Sequence, residues 1–218
     1  SGEPGGEVLQ GFLRHHVRDL LAKDFTFTSY TYTTTRGLLA LAAGKSFHFK
    51  YRWKGIVPHY PAPSDTTGPA PWRPEVMNQI ITDYVEAAEY RSDTYWGGKD
   101  IVLMGKYMLM ARELSHPAFD ELKAKLKEAL VDWLTYTPGE TERYYADYPA
   151  WSALVGFDES FYSYQFNDHH FHYSYLLQSA AFIAMVEPEW IQPYSEILKL
   201  IAKEYANWDR DDLNFPFL

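Results

Sequence analysis

Beyond residue 74 the sequence alternates between two kinds of helical pattern, and this alternation restricts the possible folds more than any other feature. Three segments carry one apolar stripe opposite charged residues, and they lie near 75–91, 117–134 and 189–206. Two others, near 99–114 and 169–186, are apolar almost all round. A helix of the first kind has one solvated face, whereas a helix of the second kind is packed on every side.

An inner helix, a short turn and an outer helix, repeated along the chain, are typical of an α/α toroid. Ser115-His116-Pro117 and Glu187-Pro188 supply the tight turns that this arrangement needs. The pattern predicts about five helices after residue 74, fewer than the twelve of a closed ring. We therefore predict a mainly α fold that forms part of a toroid, preceded by a small β-containing region.

The segment before residue 74 has a different texture. Residues 1–7 are rich in Gly and Pro and are interpreted as a linker or remnant, and apolar spacing over 8–22 predicts a short helix. Alternating polar and apolar residues over 25–57 predict strands, and the proline-rich stretch 56–74 predicts an extended loop. Residues 8–74 are thus predicted to be a small linking region, and 75–218 the helical region.

Composition excludes several classes of partner. The 218 residues carry a formal net charge of −9 without a dense Lys/Arg run, so nucleic acid and anionic membrane surfaces are repelled. No apolar run approaches the roughly 18 residues of a membrane span. The absence of Cys excludes disulfides and Cys-based zinc sites. Aromatic residues make up 17% of the chain, and their flat faces suit the C–H surfaces of sugar rings.

The helical pattern lapses between Thr137 and Phe166 into an aromatic-rich stretch. An unstructured segment of this length is uncommon in a compact domain unless it has a function. We expect a long loop that forms the wall of a cleft.

The densest group of chemically capable side chains is FNDHHFHYSY, where the helix near 169–186 begins. It contains Asn167, Asp168, His169, His170, His172 and Tyr173. In a toroid the starts of inner helices open onto the central cavity, and Asp168 and His172, four residues apart, share a helix face. Three interpretations follow: Asp168 or Asn167 caps the helix, Asp168 with two histidines holds zinc or iron, or Asp168 is a general acid in a sugar site.

A second group, TYWGGKD, precedes the other all-round apolar helix. In one interpretation Asp100 caps this helix. In the other, Tyr95 and Trp96 form a platform for a sugar ring, while Lys99 and Asp100 bond its hydroxyl groups. The acidic run DRDD at 209–212 superficially resembles a magnesium motif, but its position after a helix favours a solvated chain end.

Together these segments resemble glycoside hydrolase family 81. The resemblance is carried by TTTRGLLAL, TYWGGKDI, FNDHHFHYSY and NWDRDDLNFPFL, in the family's order and approximate spacing. The string NDHHFHY is the most specific of them. Ser174 departs from the family, which usually has Gly there.

The resemblance implies hydrolysis of internal β-1,3-glucosidic bonds with inversion, within an (α/α)6 barrel and without a cofactor or metal. By this resemblance Asp168 is the general acid. Substrate-binding residues are expected at Tyr95, Trp96, Lys99, Asp100, Asn167, His169, His172 and Tyr173. It further implies a β-1,3-glucan partner such as laminarin and a secreted or cell-surface location.

The family's catalytic base is a Glu within a segment resembling NxESSSEA, and this string does not occur in the sequence. An inverting mechanism requires that second carboxylate. We therefore expect the chain to be one piece of a longer catalytic region, completed by a downstream segment or companion chain. The alternative is a glucan-binding or structural helical module without turnover.

Overall fold

The computed structural model describes residues 6–13, 16–17, 20–21, 25–50, 62–63 and 71–215. They divide between two compact units, Ser1–Val57 and Pro58–Leu218. The predicted boundary between residues 74 and 75, and the linker over 1–7, stay predictions. Most of the proline-rich stretch 56–74 lies outside the described residues.

The first unit is a small antiparallel β-structure. Its strands are β1 (Val8–Phe12), β2 (Leu20–Leu21), β3 (Phe25–Thr34), β4 (Gly37–Gly44) and β5 (His48–Phe49). Strands β1, β4 and β3 form one sheet in that order, and β2 pairs with β5. The strands predicted after residue 25 are confirmed up to residue 49, and those predicted beyond residue 50 lie outside the described residues.

The short helix predicted over 8–22 is wrong for Val8–Phe12 and Leu20–Leu21, which are strands, whereas His16 and Val17 are helical. Val8–Phe12 pairs antiparallel with β4, so that Gly11 lies opposite Leu41 and Phe12 opposite Ala40. Phe12 is buried and its ring contacts that of Phe27. Glycine weakens a helix, and a five-residue segment gains more from strand pairing and from burial of its aromatic ring than from local helical spacing.

The second unit contains the helices. They are α1 (Pro74–Ala87), α2 (Trp96–Glu113), α3 (Phe119–Leu134), α4 (His169–Ala184) and α5 (Ser195–Ala206), the last preceded by a 3-10 segment over Pro188–Tyr194. Helix α2 packs against α1, α3 and α4, and α4 packs against α2, α3 and α5. The two helices predicted to be inner are therefore the ones with most helical neighbours, and five helices are found among the described residues of this unit.

A β-hairpin occupies the stretch that was predicted to be an irregular loop. Strands β6 (Tyr144–Tyr148) and β7 (Ala153–Phe157) pair antiparallel around a 3-10 turn at Pro149–Trp151. The tyrosines of YYADY and the apolar run ALVGF are short strand signals that the other aromatic residues of this stretch concealed. A second 3-10 segment, Ser163–Gln165, connects the hairpin to α4. Among the described residues, no helix is long and apolar enough to cross a lipid bilayer.

Candidate active site

The segment that leads into α4 has an unusual backbone. Phe161, Tyr162, Phe166 and Asp168 all adopt left-handed conformations, with φ between 55° and 61°. Such φ values are uncommon for residues other than glycine, and they cluster at functional sites when the surrounding structure holds them in place. The turn therefore gives the four side chains directions that a regular helix or strand would not.

Asp168 occupies the position before the first residue of α4, yet its side chain makes no capping hydrogen bond. Its backbone carbonyl instead accepts the N–H groups of Phe171 and His172 at 2.9 and 3.1 Å. The capping interpretation is therefore wrong for Asp168. Its carboxyl group is exposed and free to face a ligand.

Two cavities share Asp168. The smaller, of about 230 Å³, is lined by Tyr95, Phe161, Phe171 and His172 in addition to Asp168. The larger, of about 570 Å³, is lined by Trp151, Ser152, Ala153, Phe166, Asp168, His169, His170, Glu204, Tyr205, Leu213 and Phe215. Aromatic rings on both sides of one carboxyl group suit a ligand with flat apolar faces and hydroxyl edges.

His172 is a buried, neutral side chain on the wall of the smaller cavity. Its Nδ1 lies 2.8 Å from the Thr94 hydroxyl oxygen, and its ring lies 5.2 Å from that of Tyr95. Burial lowers the pKa of His172, and the neighbouring His169 lowers it further, while Asp168 opposes the shift. At neutral pH His172 is therefore a hydrogen-bonding group and not a cation.

His169 fixes the start of α4 through contacts of both its ring nitrogens. Its Nδ1 lies 2.7 Å from Oε1 of Glu204 on α5, and its Nε2 lies 2.8 Å from the carbonyl oxygen of Ser163. Both ring nitrogens thus lie within hydrogen-bonding distance of an oxygen, which fixes the orientation of the ring. The other oxygen of Glu204 accepts the N–H of Leu154 at 2.6 Å, which ties α4, α5 and the hairpin together.

Tyr173 completes this buried network. Its hydroxyl donates to the Leu154 carbonyl and accepts the N–H of Gly156, both at 3.0 Å. Burial raises the pKa of Tyr173 far above that of free tyrosine, so the phenol stays protonated. The ring has no exposed surface, which makes Tyr173 a support for the hairpin beneath the two cavities.

A model of the glycosyl hydrolase family 81 C-terminal domain matches residues 74–218. The chain belongs to this family.

The chain is similar to family 81 members from several organisms. It is 35% identical over 87% of its length to a glucan endo-1,3-beta-D-glucosidase of Acetivibrio thermocellus, and 31% identical over 88% to one of Thermobifida fusca. A solved glycoside hydrolase family 81 structure from Clostridium thermocellum, in a mutant form, is 33% identical and covers 97% of the chain with a TM-score of 0.68. The chain spans 24 to 25% of these two relatives and 29% of that solved structure.

In this family 81 chain the TYWGGKD segment starts α2, three residues earlier than predicted. Asp93 Oδ1 accepts the N–H groups of Tyr95 and Trp96 at 2.9 and 2.7 Å and so caps the helix start. The predicted cap, Asp100, is wrong because it lies inside the helix. Its carboxylate accepts both Nε and Nη2 of Arg91 at 2.7 Å.

The other predicted residues of TYWGGKD divide between two places. Tyr95 lines the smaller Asp168 cavity, whereas Trp96, Lys99 and Asp100 line a separate cavity of about 330 Å³ that also includes Tyr175. The Lys99 ammonium lies 5.0 Å from the ring centres of both Tyr95 and Trp96, so it connects the two cavities through cation–π contacts.

Asn167 is exposed and lines neither Asp168 cavity. Within the described part of the chain, no three His, Asp or Glu side chains are grouped to hold a metal ion. In the DRDD run, Asp212 pairs with Lys203 of α5, which lowers the pKa of that carboxyl.

Sequence reasoning missed six aromatic residues and one acid around Asp168. They are Trp151, Phe161, Phe166, Phe171, Tyr205, Phe215 and Glu204. The aromatic richness of 137–166 signalled a cleft wall, but it did not distinguish the rings that face the cavities from those that pack beneath the hairpin. Nothing in the spacing of Glu204 singles it out from other helix-surface acids.

Proposed function

We propose that the protein containing this chain hydrolyses internal β-1,3-glucosidic bonds in laminarin-like glucans, with Asp168 as the general acid. The observation that carries the proposal is the carboxyl group of Asp168, which is exposed, makes no capping hydrogen bond and lines two aromatic cavities. The name of the relatives, glucan endo-1,3-beta-D-glucosidase, supplies the bond and the substrate class.

The reaction proposed is a single displacement with inversion. Asp168 protonates the glycosidic oxygen, and a second carboxylate, about 6.5–9.5 Å away, activates water on the opposite face of the sugar. We assign that base to a segment outside these 218 residues, because the family's glutamate motif is not in the sequence. The same segment would complete the (α/α)6 barrel of which α1 to α5 form a part.

The predicted binding residues take different roles in this proposal. Tyr95 and His172 line the cavity next to Asp168, and Trp96, Lys99 and Asp100 form a further sugar site on α2. His169 and Tyr173 are buried and support the site. Asn167 is exposed but lines neither Asp168 cavity, so its contact with the glucan stays a prediction. A secreted or cell-surface location suits a polysaccharide substrate.

The test is Asp168→Asn in the protein that contains this chain. The amide retains the shape of the side chain but has no acidic proton, so we expect kcat on laminarin to fall by about 100-fold or more. Glucan binding should be largely retained. Reducing-end release measures kcat, and Asp147→Asn, an exposed acid on β6, is the matched control. Activity of Asp168→Asn near that of the control would contradict the assignment.

A glucan-binding module without turnover is the second candidate. It is favoured by the exposure of Trp151, Phe161 and Phe166 around the cavities. Assay of the 218-residue chain on laminarin separates the two candidates. Turnover that Asp168→Asn abolishes would defeat the binding-only function, whereas binding without turnover in the longest natural form of the protein would favour it.

A further inference from the structure

Two buried side chains fix the backbone from which the Asp168 carboxyl group projects. We propose that Glu204 and His169 are positioning residues for the general acid, because together they hold the turn that contains Asp168. The inference rests on the proposed function, in which Asp168 is that acid. It goes further by making the rate of proton donation depend on side chains that do not themselves carry the proton.

Asp168 has no polar contact that could hold its side chain in place. Its carboxyl group makes no hydrogen bond or ion pair with a described residue. Its backbone is left-handed, with φ 56° and ψ 13°, a conformation that is uncommon for residues other than glycine and persists when the surrounding structure holds it. The direction of the carboxyl group therefore depends on how firmly this backbone is held.

His169 holds the chain on both sides of Asp168. It is the first residue of α4, and consecutive Cα atoms are only about 3.8 Å apart. Its Nε2 reaches back across Asp168 to the carbonyl oxygen of Ser163, at 2.8 Å. The same carbonyl accepts the N–H of Phe166 at 2.9 Å, so one oxygen joins the turn before Asp168 to the helix after it. The His169 ring also stacks on Tyr173, with ring centres 4.4 Å apart and planes 28° apart.

Glu204 connects this ring to the rest of the unit. Its side chain is only 4% exposed. Oε1 lies 2.7 Å from Nδ1 of His169, and Oε2 accepts the N–H of Leu154 on β7 at 2.6 Å. A general acid must lie within hydrogen-bond reach of the oxygen that it protonates, and a displacement of about 1 Å can cost about 100-fold in rate. Loss of the Glu204 contacts should therefore slow proton donation.

The test is Glu204→Ala in the protein that contains this chain. The substitution removes both contacts, so we expect kcat on laminarin to fall by about tenfold, less than in Asp168→Asn, where no acid remains. KM should stay within about twofold of wild type, because the aromatic rings of the cavities are retained. Glu187→Ala is the matched control. Glu187 pairs with Lys127 at 2.7 Å beyond the other end of α4, and its loss should leave kcat unchanged.

A second substrate separates positioning from general damage to the fold. A dinitrophenyl β-glycoside of laminaritriose has a leaving group that departs without a proton. A misplaced acid therefore slows laminarin hydrolysis but not the release of dinitrophenolate, whereas a damaged fold slows both. Glu204→Gln should recover most of the laminarin activity, because the amide can accept the N–H of Leu154 and donate to Nδ1 of His169.

His169→Asn tests the same role if Glu204→Ala does not fold. Asparagine is long enough to bond Glu204 but too short to reach the Ser163 carbonyl, so the turn before Asp168 is released. We expect the same pattern in this variant, with slower hydrolysis of laminarin and unchanged release of dinitrophenolate.

The outcomes separate the positioning role from the proposed function. If Asp168→Asn abolishes laminarin hydrolysis but Glu204→Ala and His169→Asn slow both substrates equally, or neither, the positioning role is overturned and the glucanase function stands. If Asp168→Asn hydrolyses laminarin as fast as wild type, the proposed function is overturned and the positioning role with it.

Discussion

His172 shows how a single side chain couples the candidate site to the acidity of the solution. It is buried between Thr94 and the rings of Tyr95 and Phe161. The titratable groups that act on it are His169, Asp168, Asp93 and His170. Burial is the largest influence and lowers the pKa of His172 below its ordinary value of about 6.5.

The lowered pKa of His172 predicts that the free energy of unfolding falls in mild acid. Between about pH 6.5 and the lower folded pKa, the unfolded chain binds a proton at His172 that the folded chain does not, so the free energy of unfolding decreases as pH falls. In His172→Gln, which cannot titrate, the loss between pH 7.5 and 5.5 should be smaller than in wild type. Urea unfolding at both pH values measures it.

His170→Gln is the control for the His172 prediction, because His170 is exposed and lies only two residues away. It should lose stability between the two pH values as wild type does. An equal pH dependence in His172→Gln and His170→Gln would show that burial of the imidazole does not set this response.

At the scale of elements, the start of α2 depends on one carboxylate. Asp93 Oδ1 accepts the N–H groups of Tyr95 and Trp96 and the hydroxyl of Ser160 at 2.7 Å. Asp93→Ala should therefore lower the free energy of unfolding by about 1–2 kcal/mol, as loss of a helix cap does. Urea unfolding with far-ultraviolet circular dichroism measures the change.

Two further substitutions are the controls for the Asp93 prediction. Asp93→Asn keeps the acceptor oxygen and should cost only a few tenths of a kcal/mol. Asp100→Ala removes an ion pair with the half-exposed Arg91 and should cost less than about 1 kcal/mol. A larger loss for Asp100→Ala than for Asp93→Ala would return the capping role to Asp100.

The same elements show which parts of the fold the sequence predicts. Helices α2 and α4 were foreseen because sixteen or more residues repeat an apolar pattern, and long periodic segments are reliable. The pattern defines the ends of these helices less well. It predicts that α2 begins at residue 99 and not at Trp96, which is why Asp100 and not Asp93 was interpreted as a cap. Val8–Phe12 was mispredicted because its pairing partner, β4, lies some thirty residues away.

Only the residues at the centre of the candidate site were predictable from the sequence. Asp168 and His172 stand in a distinctive string, and they do line one cavity. Trp151 and Glu204 reach Asp168 through the β6–β7 hairpin and the α4–α5 packing. Such contacts depend on tertiary structure, and neither composition nor periodicity carries them.

The residues that line the two Asp168 cavities all belong to the second unit. Every residue of the principal hydrophobic cluster lies there, from Ile81 to Phe215. Two hydrogen bonds near Asp168 link segments that are distant in sequence. One joins Thr94 and His172, and the other joins Leu154 and Glu204. The family match over residues 74–218 falls within this unit. The helices and the hairpin of this one unit thus position both Asp168 and the aromatic residues around it.

The assignment of Asp168 as general acid has a stereochemical consequence for the proposed reaction. If Asp168 donates its proton and no carboxylate forms a bond to the sugar, water attacks from the face opposite the leaving group, and the new reducing end is an α-anomer. Proton NMR of laminarin digests, recorded before mutarotation, should show α signals first, and Asp168→Asn should show neither anomer. Initial β-anomers would instead mean that a carboxylate acts as nucleophile with retention, which requires two carboxyl groups only about 5–5.5 Å apart.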